Sequence, residues 1–271
     1  MSDLRLTLAR EDLADAALQG LVRAKRFDKT DAYRCVVPAA AVRRAPDPEA
    51  EQLDQLLFGE TFRVLESQAG WAWGQAGRDG YVGHARLEDL KAGAVAATHR
   101  VTALRAYAFS RPDLKSRPAA LLSFNALVAV EGQEGKYLKA EGSGWIAAGQ
   151  LQPIGLYETD PAAVAERFLG APYQWGGRES LGLDCSGLVQ QALHACGRYC
   201  PRDSDQQQAL GQPASPSDLA RNDLVFWRGH VGMMLDARRL IHANAFHMQV
   251  AIEPLDEAVA RIGEPAVCRR P

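Results

Sequence analysis

The sequence predicts a multidomain protein in which two small all-β barrels precede an α+β domain. Short β-type segments separated by turns begin at Tyr33, and they fall into two sets of similar spacing. Beyond Asp160 the pattern changes to helices followed by a run of strands, the order of an α+β domain. We therefore expect four segments: an N-terminal arm over 1–30, a first barrel over 31–92, a second barrel over 93–156 and a C-terminal domain over 157–271.

The N-terminal arm is predicted to contain one amphipathic helix that starts at Arg10 or Glu11 and ends at Arg23. Its apolar stripe would consist of Leu13, Ala16, Ala17, Leu18, Leu21 and Val22. Acidic residues are scattered through the arm, and no uninterrupted apolar core follows a basic start, so the pattern is not that of a secretory signal. No apolar run in the chain approaches membrane-spanning length. We expect a cytoplasmic protein whose arm packs against the domains that follow.

The two barrel segments have the pattern of an internal duplication. Gly80-Tyr81-Val82 in the first set corresponds to Gly144-Trp145-Ile146 in the second, and the strand-like runs before them recur at similar intervals. Trp71, Trp73 and Trp145 are interpreted as core aromatics, because small barrels need large side chains to fill them.

The C-terminal segment contains a candidate nucleophile. Glycines and a proline break the chain over 170–177, and apolar residues then recur at helical spacing until Gly197. Cys185 would therefore lie in the first turn of a helix. Unpaired backbone N–H groups and the positive end of the helix dipole favour the thiolate there, and a thiolate is a nucleophile near neutral pH.

Two histidines downstream are candidates for the base and its partner. His230 and His242 lie among predicted strands at 224–227, 231–235, 239–243 and 248–252, which precede a helix over 254–262 and a strand around Val267. His230 could take the thiol proton, and His242 could hold His230 in the right tautomer. His194 and His247 are assigned no role.

Composition limits the partners of the protein. A formal net charge of -2 gives no electrostatic case for nucleic acid or an anionic membrane. Five cysteines, an odd number, fit a reducing compartment better than a disulfide framework. Cys196 and Cys200 supply only half of the four ligands that structural zinc needs, so we expect no metal and no cofactor. The ligand should be small or locally matched, and the sequence leaves the oligomeric state open.

Several separated motifs resemble one peptidase family. PYQWGG, DCSGLVQ, PRDSDQQ, NDLVFW, GHVGMML and LIHA follow one another within 157–271 in the order and spacing of the NlpC/P60 papain-like cysteine peptidases. Enzymes of this family cleave peptides of bacterial cell walls, commonly at the γ-D-glutamyl bond to a diamino acid. Both barrel segments resemble bacterial SH3-like barrels, which often precede NlpC/P60 domains, and the first segment is the better match.

The resemblance implies roles for individual residues. The catalytic set would be Cys185, His230 and His242. The murein peptide would be contacted by Tyr173, Asp184, Ser186 and Ser204. Arg202 could pair with the free α-carboxylate of γ-D-Glu, which suits a planar guanidinium. Some relatives with SH3-like domains accept only short peptides with a free N-terminal L-Ala, and the candidates for binding that ammonium are Glu60 with Tyr81 or Trp73 as an aromatic neighbour.

Three functions remain open on this reading. The leading one is a cytoplasmic cysteine endopeptidase of cell-wall recycling, which cuts murein tri- or tetrapeptides such as L-Ala-γ-D-Glu-diaminopimelate between D-Glu and the diamino acid. The second is an exported hydrolase that remodels the wall. The third is a catalytically silent protein that binds peptide or glycan, and the intact Cys, His, His set argues against it.

Overall fold

A computed structural model describes residues 3–271, which divide into two compact units. The first unit ends at Ile154 and the second begins at Gly155, close to the predicted start of the C-terminal domain. The finer division of the first unit into an arm and two barrels stays a prediction. Within 3–271, no helix has both the length and the apolar character needed to cross a membrane.

The first unit consists of short strands joined by turns. In chain order its strands are β1 (Leu13–Asp15), β2 (Arg26–Asp28), β3 (Asp31–Cys35), β4 (Ala39–Arg43), β5 (Gln52–Leu57), β6 (Thr61–Gln68), β7 (Trp71–Ala76), β8 (Val82–Arg86), β9 (Leu90–Ala92), β10 (His99–Val101), β11 (Arg105–Phe109), β12 (Pro118–Ser123), β13 (Leu127–Val128), β14 (Val130–Glu134), β15 (Tyr137–Ala140), β16 (Gly144–Ala147) and β17 (Leu151–Pro153).

The N-terminal arm is not helical, so the prediction of a helix from Arg10 or Glu11 to Arg23 is wrong. β1 pairs in parallel with β2, and only Ala16–Leu18 form a short 3-10 turn. Leu8 and Leu13 are buried against Leu65 and Trp73 of the neighbouring sheet. This tertiary burial outweighs the helix propensity of an alanine- and leucine-rich segment.

Two sets of strands in the first unit share one pairing scheme. β3 to β9 form a seven-stranded sheet, whereas β10 to β17 form a three-stranded and a five-stranded sheet. The pairs β3·β9, β4·β5, β4·β8 and β7·β8 of the first set correspond to β10·β17, β11·β12, β11·β16 and β15·β16 of the second. A 3-10 turn precedes the last strand in both. This correspondence supports the predicted duplication, and the identification of the second set as an SH3-like barrel stays a prediction.

The first unit contains two apolar cores, the second of which also includes Leu57 of β5. Phe62, Val64 and Tyr81 belong to the first core, and Val101, Leu122 and Ile146 are among the buried residues of the second. Trp71 and Trp73 are buried as predicted. Trp145 is only half-buried, so it contributes less to the core than expected.

The second unit combines short helices with one antiparallel sheet. Its elements are α1 (Pro161–Glu166), β18 (Arg178–Glu179), β19 (Gly182–Leu183), α2 (Cys185–Ala195), α3 (Ser204–Gln207), β20 (Gln212–Pro213), β21 (Leu224–Trp227), β22 (His230–Met234), β23 (Arg239–Asn244), β24 (Gln249–Pro254), α4 (Leu255–Ile262) and β25 (Val267–Arg270). The main sheet has the strand order β20-β25-β21-β22-β23-β24.

The predicted order of elements in the second unit is confirmed. Asp160 caps α1 by accepting a hydrogen bond from the N–H of Ala162, and Pro161 occupies the first turn. The four central strands and α4 lie within one or two residues of their predicted positions. The short elements β18, β19, β20 and α3 and the 3-10 turn Pro216–Asp218 were not predicted. The long, fully buried helix α2 packs against α1, β22 and β23.

Candidate active site

The candidate nucleophile Cys185 is the first residue of α2, as predicted. The helix begins here because the Oδ1 atom of Asp184 accepts a hydrogen bond from the N–H of Gly187 at 2.8 Å. A side chain at Gly187 would collide with the carbonyl oxygen of Gly177, because a Cβ there would lie 2.3 Å from that atom. The start of α2 is thereby fixed against the glycine-rich loop, and the position of the Cys185 thiol is fixed with it.

The sulfur of Cys185 is a thiol at rest, in contrast to the predicted thiolate. Burial raises the pKa of Cys185 to about 12, and the charge of Asp184 acts in the same direction. The N–H groups of Val231 and Ser186 and the charge of Arg202 lower it, but they do not compensate. The helix N-terminus is therefore outweighed by desolvation and by an adjacent carboxylate. Attack by this sulfur needs a base that removes its proton.

A tight hairpin places His230 on β22, a strand that packs against the helix of the nucleophile. β21 and β22 are joined by the two residues Arg228-Gly229, and Trp227 pairs directly with His230. Gly229 has a φ of +73°, a conformation that glycine adopts without strain. The next residue, Val231, directs its backbone N–H to the sulfur of Cys185. His230 thus follows the hairpin turn at the point where β22 meets the start of α2.

The two predicted histidines form a hydrogen-bonded pair. The Nε2 atom of His230 lies 2.8 Å from the Nδ1 atom of His242, which is completely buried on β23. Burial lowers the pKa of each imidazole to about 4, and the charge of Arg261 adds to this effect at both rings. Both rings are therefore neutral near pH 7, and a neutral imidazole can accept the thiol proton.

Glu253 lies next to this histidine pair and forms a row with it, and it was not among the predicted site residues. Its Oε1 atom lies 2.7 Å from the Nε2 atom of His242. Burial would raise the pKa of Glu253, but the ion pair with Arg261 and the contact with His242 outweigh burial and lower it. A signal was present in the sequence, because Glu253 is a charged residue in an apolar strand, two positions after Ala251, which pairs with His242.

A buried ion pair supports the start of α2. Arg202 donates from Nη1 to Oδ1 of Asp184 at 3.0 Å and from Nη2 to Oδ2 at 2.6 Å, and it also donates to the hydroxyl of Ser186 at 2.9 Å. Only 1% of Arg202 is exposed. The guanidinium is enclosed and pairs with Asp184, whereas its expected contact with a substrate carboxylate stays a prediction. Direct peptide contacts of Asp184 and Ser186 stay predictions.

The remaining predicted peptide contacts lie around the same helix. Tyr173 is half-buried, and its pKa is raised by burial and by its proximity to Cys185 and Asp184. The structure thus brings the Tyr173 hydroxyl into the neighbourhood of the nucleophile. Ser204 is partly exposed at the start of α3, which packs against α2. Contact of either residue with a peptide stays a prediction.

Glu60 and Tyr81 belong to the first unit. Glu60 is 1% exposed, and its Oε1 atom pairs with Arg78 at 2.7 Å. Its Oε2 atom accepts a hydrogen bond from the N–H of Leu57 at 3.0 Å. Tyr81 lies in the first apolar core. The Glu60 carboxylate is thus used within its own unit, and its role in binding an ammonium group stays a prediction.

Three side chains around His242 are of the types that ligate metals. The ligand atoms of His242, His247 and Glu253 lie within 4.8 Å of one another. However, the Nδ1 atom of His242 is hydrogen-bonded to His230, its Nε2 atom lies in close polar contact with Glu253, and Glu253 also pairs with Arg261. A cation would have to break these contacts, so the residues fit a row of mutual polar contacts better than a metal centre.

Two regions of the chain match described protein families. The model of the NlpC/P60 family matches residues 170–261, and that of the bacterial dipeptidyl-peptidase Sh3 domain matches residues 42–90. A gamma-D-glutamyl-L-lysine dipeptidyl-peptidase of Bacillus subtilis is 26% identical over 227 residues, which cover 76% of each chain. A probable endopeptidase of Mycobacterium tuberculosis is 35% identical over 105 residues, which are 36% of this chain and only 27% of that protein.

Solved structures with a similar fold cover most of the chain. An NlpC/P60 family protein from Bacillus cereus superimposes with a TM-score of 0.78 and 20% identity, over 89% of this chain and 99% of that one. An NlpC/P60 endopeptidase from Photobacterium damselae subsp. piscicida gives a TM-score of 0.61 and 14% identity, over 88% of this chain and 71% of that one. At these identities the likeness concerns the fold alone.

Proposed function

Since the chain carries an NlpC/P60 domain over 170–261 and a bacterial SH3 domain over 42–90, we propose that it is a cysteine endopeptidase for short murein peptides. The bond we assign is the one between γ-D-Glu and the diamino acid, as in L-Ala-γ-D-Glu-diaminopimelate. We further propose that it works on free peptides in cytoplasmic cell-wall recycling.

One observation carries the proposed chemistry. Within the second unit, Cys185 begins a buried helix and a hydrogen-bonded pair of neutral imidazoles, His230 and His242, lies on the sheet against which that helix packs. A nucleophile, a base and a group that orients the base are the components of acyl transfer through a covalent intermediate.

The reaction follows from these groups. The sulfur of Cys185 attacks the scissile carbonyl carbon while His230 takes the thiol proton, which gives a tetrahedral oxyanion. Backbone N–H groups at the start of α2 stabilise this oxyanion by about 3 kcal/mol per donor. The imidazolium of His230 then protonates the leaving amine, and a thioester remains. Water, deprotonated by His230, hydrolyses the thioester and regenerates the thiol of Cys185.

The choice of bond and of free peptides rests on the similar proteins. The name of the Bacillus subtilis relative gives a γ-D-glutamyl bond to a diamino acid and release of a dipeptide. The family of the first domain is also that of dipeptidyl-peptidases. Release of a dipeptide requires a free amino end two residues before the cut, and peptides released from the wall have one. These arguments favour recycling over remodelling of intact wall.

Mass spectrometry of the products tests the proposal. The purified full chain is incubated with L-Ala-γ-D-Glu-diaminopimelate, with the same peptide acetylated at its amino end, and with intact sacculi. We expect L-Ala-D-Glu and diaminopimelate from the free tripeptide alone. Cys185→Ala is the matched control, and it should bind the tripeptide without cleaving it.

The other outcomes separate the alternatives. Digestion of sacculi would replace recycling with wall remodelling, and cleavage of the acetylated peptide would remove the requirement for a free amine. Absence of turnover on every murein substrate, with binding retained, would leave a peptide-binding protein.

A further inference from the structure

Beyond the catalytic set, we propose that Glu253, held by Arg261, is a positioning residue that sets the tautomers of both His242 and His230. This inference rests on the proposed peptidase function only for its kinetic test. It assigns a role to a side chain that touches neither the nucleophile nor the base directly, and it explains why a buried carboxylate lies at the end of the histidine pair.

The positions of the ring hydrogens follow from the chemistry of the carboxylate. An ionised carboxylate would repel a lone pair, so the Nε2 atom of His242, 2.7 Å from Oε1 of Glu253, must carry the hydrogen, although this contact lacks the geometry of a regular hydrogen bond. A neutral imidazole has one N–H, and therefore the Nδ1 atom of His242 is an acceptor. It accepts from the Nε2–H group of His230 at 2.8 Å. The lone pair of His230 is then on Nδ1, the nitrogen left to take the proton of Cys185.

The register of the sheet places the three side chains in one row. β22, β23 and β24 are consecutive neighbours. Ala251 of β24 pairs with His242, and the register of β22 places Gly232 opposite His242 on the other side. His230 is two residues before Gly232, and Glu253 is two residues after Ala251. Residues two apart in a strand share a face, so the row crosses the sheet diagonally on one face.

Arg261 keeps Glu253 in the form that this argument requires. Its Nη1 atom donates to Oε2 of Glu253 at 2.9 Å, and its Nη2 atom donates to Oε1. The guanidinium also lies over the ring of Phe246, 4.3 Å from its centroid. A protonated Glu253 could donate instead of accept and would reverse the order of hydrogens along the row. The arginine prevents this because it stabilises the anion.

The charges near the two imidazoles act in opposite directions. At His230, Glu253 and Asp184 raise the pKa, whereas His242 and Arg261 lower it. At His242, Glu253 raises the pKa, whereas Arg261 and the neighbouring His247 lower it. Loss of the glutamate charge and loss of the arginine charge should therefore move the titration of the base in opposite senses.

The kinetic test compares Glu253→Leu and Glu253→Gln with the control Glu257→Leu, which replaces an exposed glutamate at the start of α4. We expect kcat on the tripeptide to fall by about 10²–10⁴ in Glu253→Leu, the range seen when the partner of a catalytic histidine is removed. KM should change little, because Glu253 does not touch the peptide. A kcat within about twofold of the wild type would overturn the proposal.

The pH profile distinguishes positioning from a loss of packing. In Glu253→Gln the acid limb of kcat/KM should move to lower pH, because a negative charge near the base is lost. In Arg261→Met it should move to higher pH, because a positive charge is lost, and Arg261→Lys should restore the limb. Shifts of the same sign in Glu253→Gln and Arg261→Met, or no shift in either, would contradict the assignment.

A third measurement needs no turnover. Nitrogen NMR of histidine-labelled full chain, in the Cys185→Ala background, reports which ring nitrogen of each histidine carries hydrogen. We expect Nε2–H in both His242 and His230, and a mixture of tautomers when Glu253→Leu is added. Unchanged tautomers would refute the inference. A change of tautomers in this background, together with no cleavage of any murein peptide by the chain that retains Cys185, would refute the proposed function and leave this inference standing.

Discussion

Replacement of the buried Arg202 by methionine should destabilise the second unit strongly. The arginine has two hydrogen bonds to Asp184, one to Ser186 and one to the carbonyl of Gly177. Methionine fills part of the volume but leaves the carboxylate of Asp184 buried without its counter-charge. The N–H groups of Gly176 and Gly187 still donate to that carboxylate at 2.9 Å and 2.8 Å, so compensation is only partial.

The magnitude follows from the burial of the pair. Removal of one partner from a buried, hydrogen-bonded ion pair costs about 3–5 kcal/mol. For a unit of the size of 155–271, each kcal/mol lowers the melting temperature by about 4 °C, so we expect a decrease of about 12–20 °C. The double variant Arg202→Met/Asp184→Asn should be less destabilised than Arg202→Met, because no uncompensated charge remains.

The assay must report on the second unit alone. Pulsed alkylation of the completely buried Cys200, located by mass spectrometry, measures the opening of this unit along a urea gradient in the full chain. Arg198→Met is the matched control, because Arg198 is exposed on the same loop. If Arg202→Met unfolds within about 1 kcal/mol of the control, the ion pair is not the support of α2 that the geometry indicates.

Three further predictions concern single groups. Because burial raises the pKa of Cys185 to about 12, its alkylation by iodoacetamide should accelerate with pH beyond pH 9, and a plateau below pH 7 would contradict a resting thiol. The pKa of His242 falls from 6.5 to about 4 on folding, so about 3 kcal/mol of stability should be present above pH 6.5 and be lost as the pH falls to 4. Urea midpoints should show this loss in the wild type and less of it in His242→Gln. Glu60→Gln should lower the stability of the first unit by about 2 kcal/mol through the ion pair with Arg78. A raised KM for the free tripeptide with unchanged stability would instead support ammonium binding by Glu60.

The sequence predicted the second unit well because its signals are local. Asp160 and Pro161 mark a helix start, and alternating apolar runs mark the strands that hold both histidines. The hydrogen bond between His230 and His242 was expected from their residue types. The proposed acyl transfer depends on few side chains, and each of them lies in a helix start or strand that the local sequence pattern predicts.

Other features depended on contacts that a local pattern does not contain. The arm around Leu13 has helix-forming residues, but burial of Leu8 and Leu13 against a distant sheet decides its conformation. The burial of Arg202 was not predictable, because the sequence alone allows an arginine near the helix of Cys185 either to contact a substrate or to pair with a buried carboxylate. Glu253 was missed because its partner His242 lies on another strand.

The row of His230, His242 and Glu253 comes from one short stretch of the chain, whereas Cys185 lies well before that stretch in the sequence. His230 and His242 are separated by 12 positions, and Glu253 and Arg261 by 8, so three sequential strands and the next helix complete the row. Low sequence separation favours early formation during folding. Cys185 is synthesised before the row, yet its proposed base is oriented only after β22, β23 and β24 have paired. A nascent or truncated chain without these strands would therefore hold a thiol without its base, and the proposed peptidase activity would begin only after they have folded.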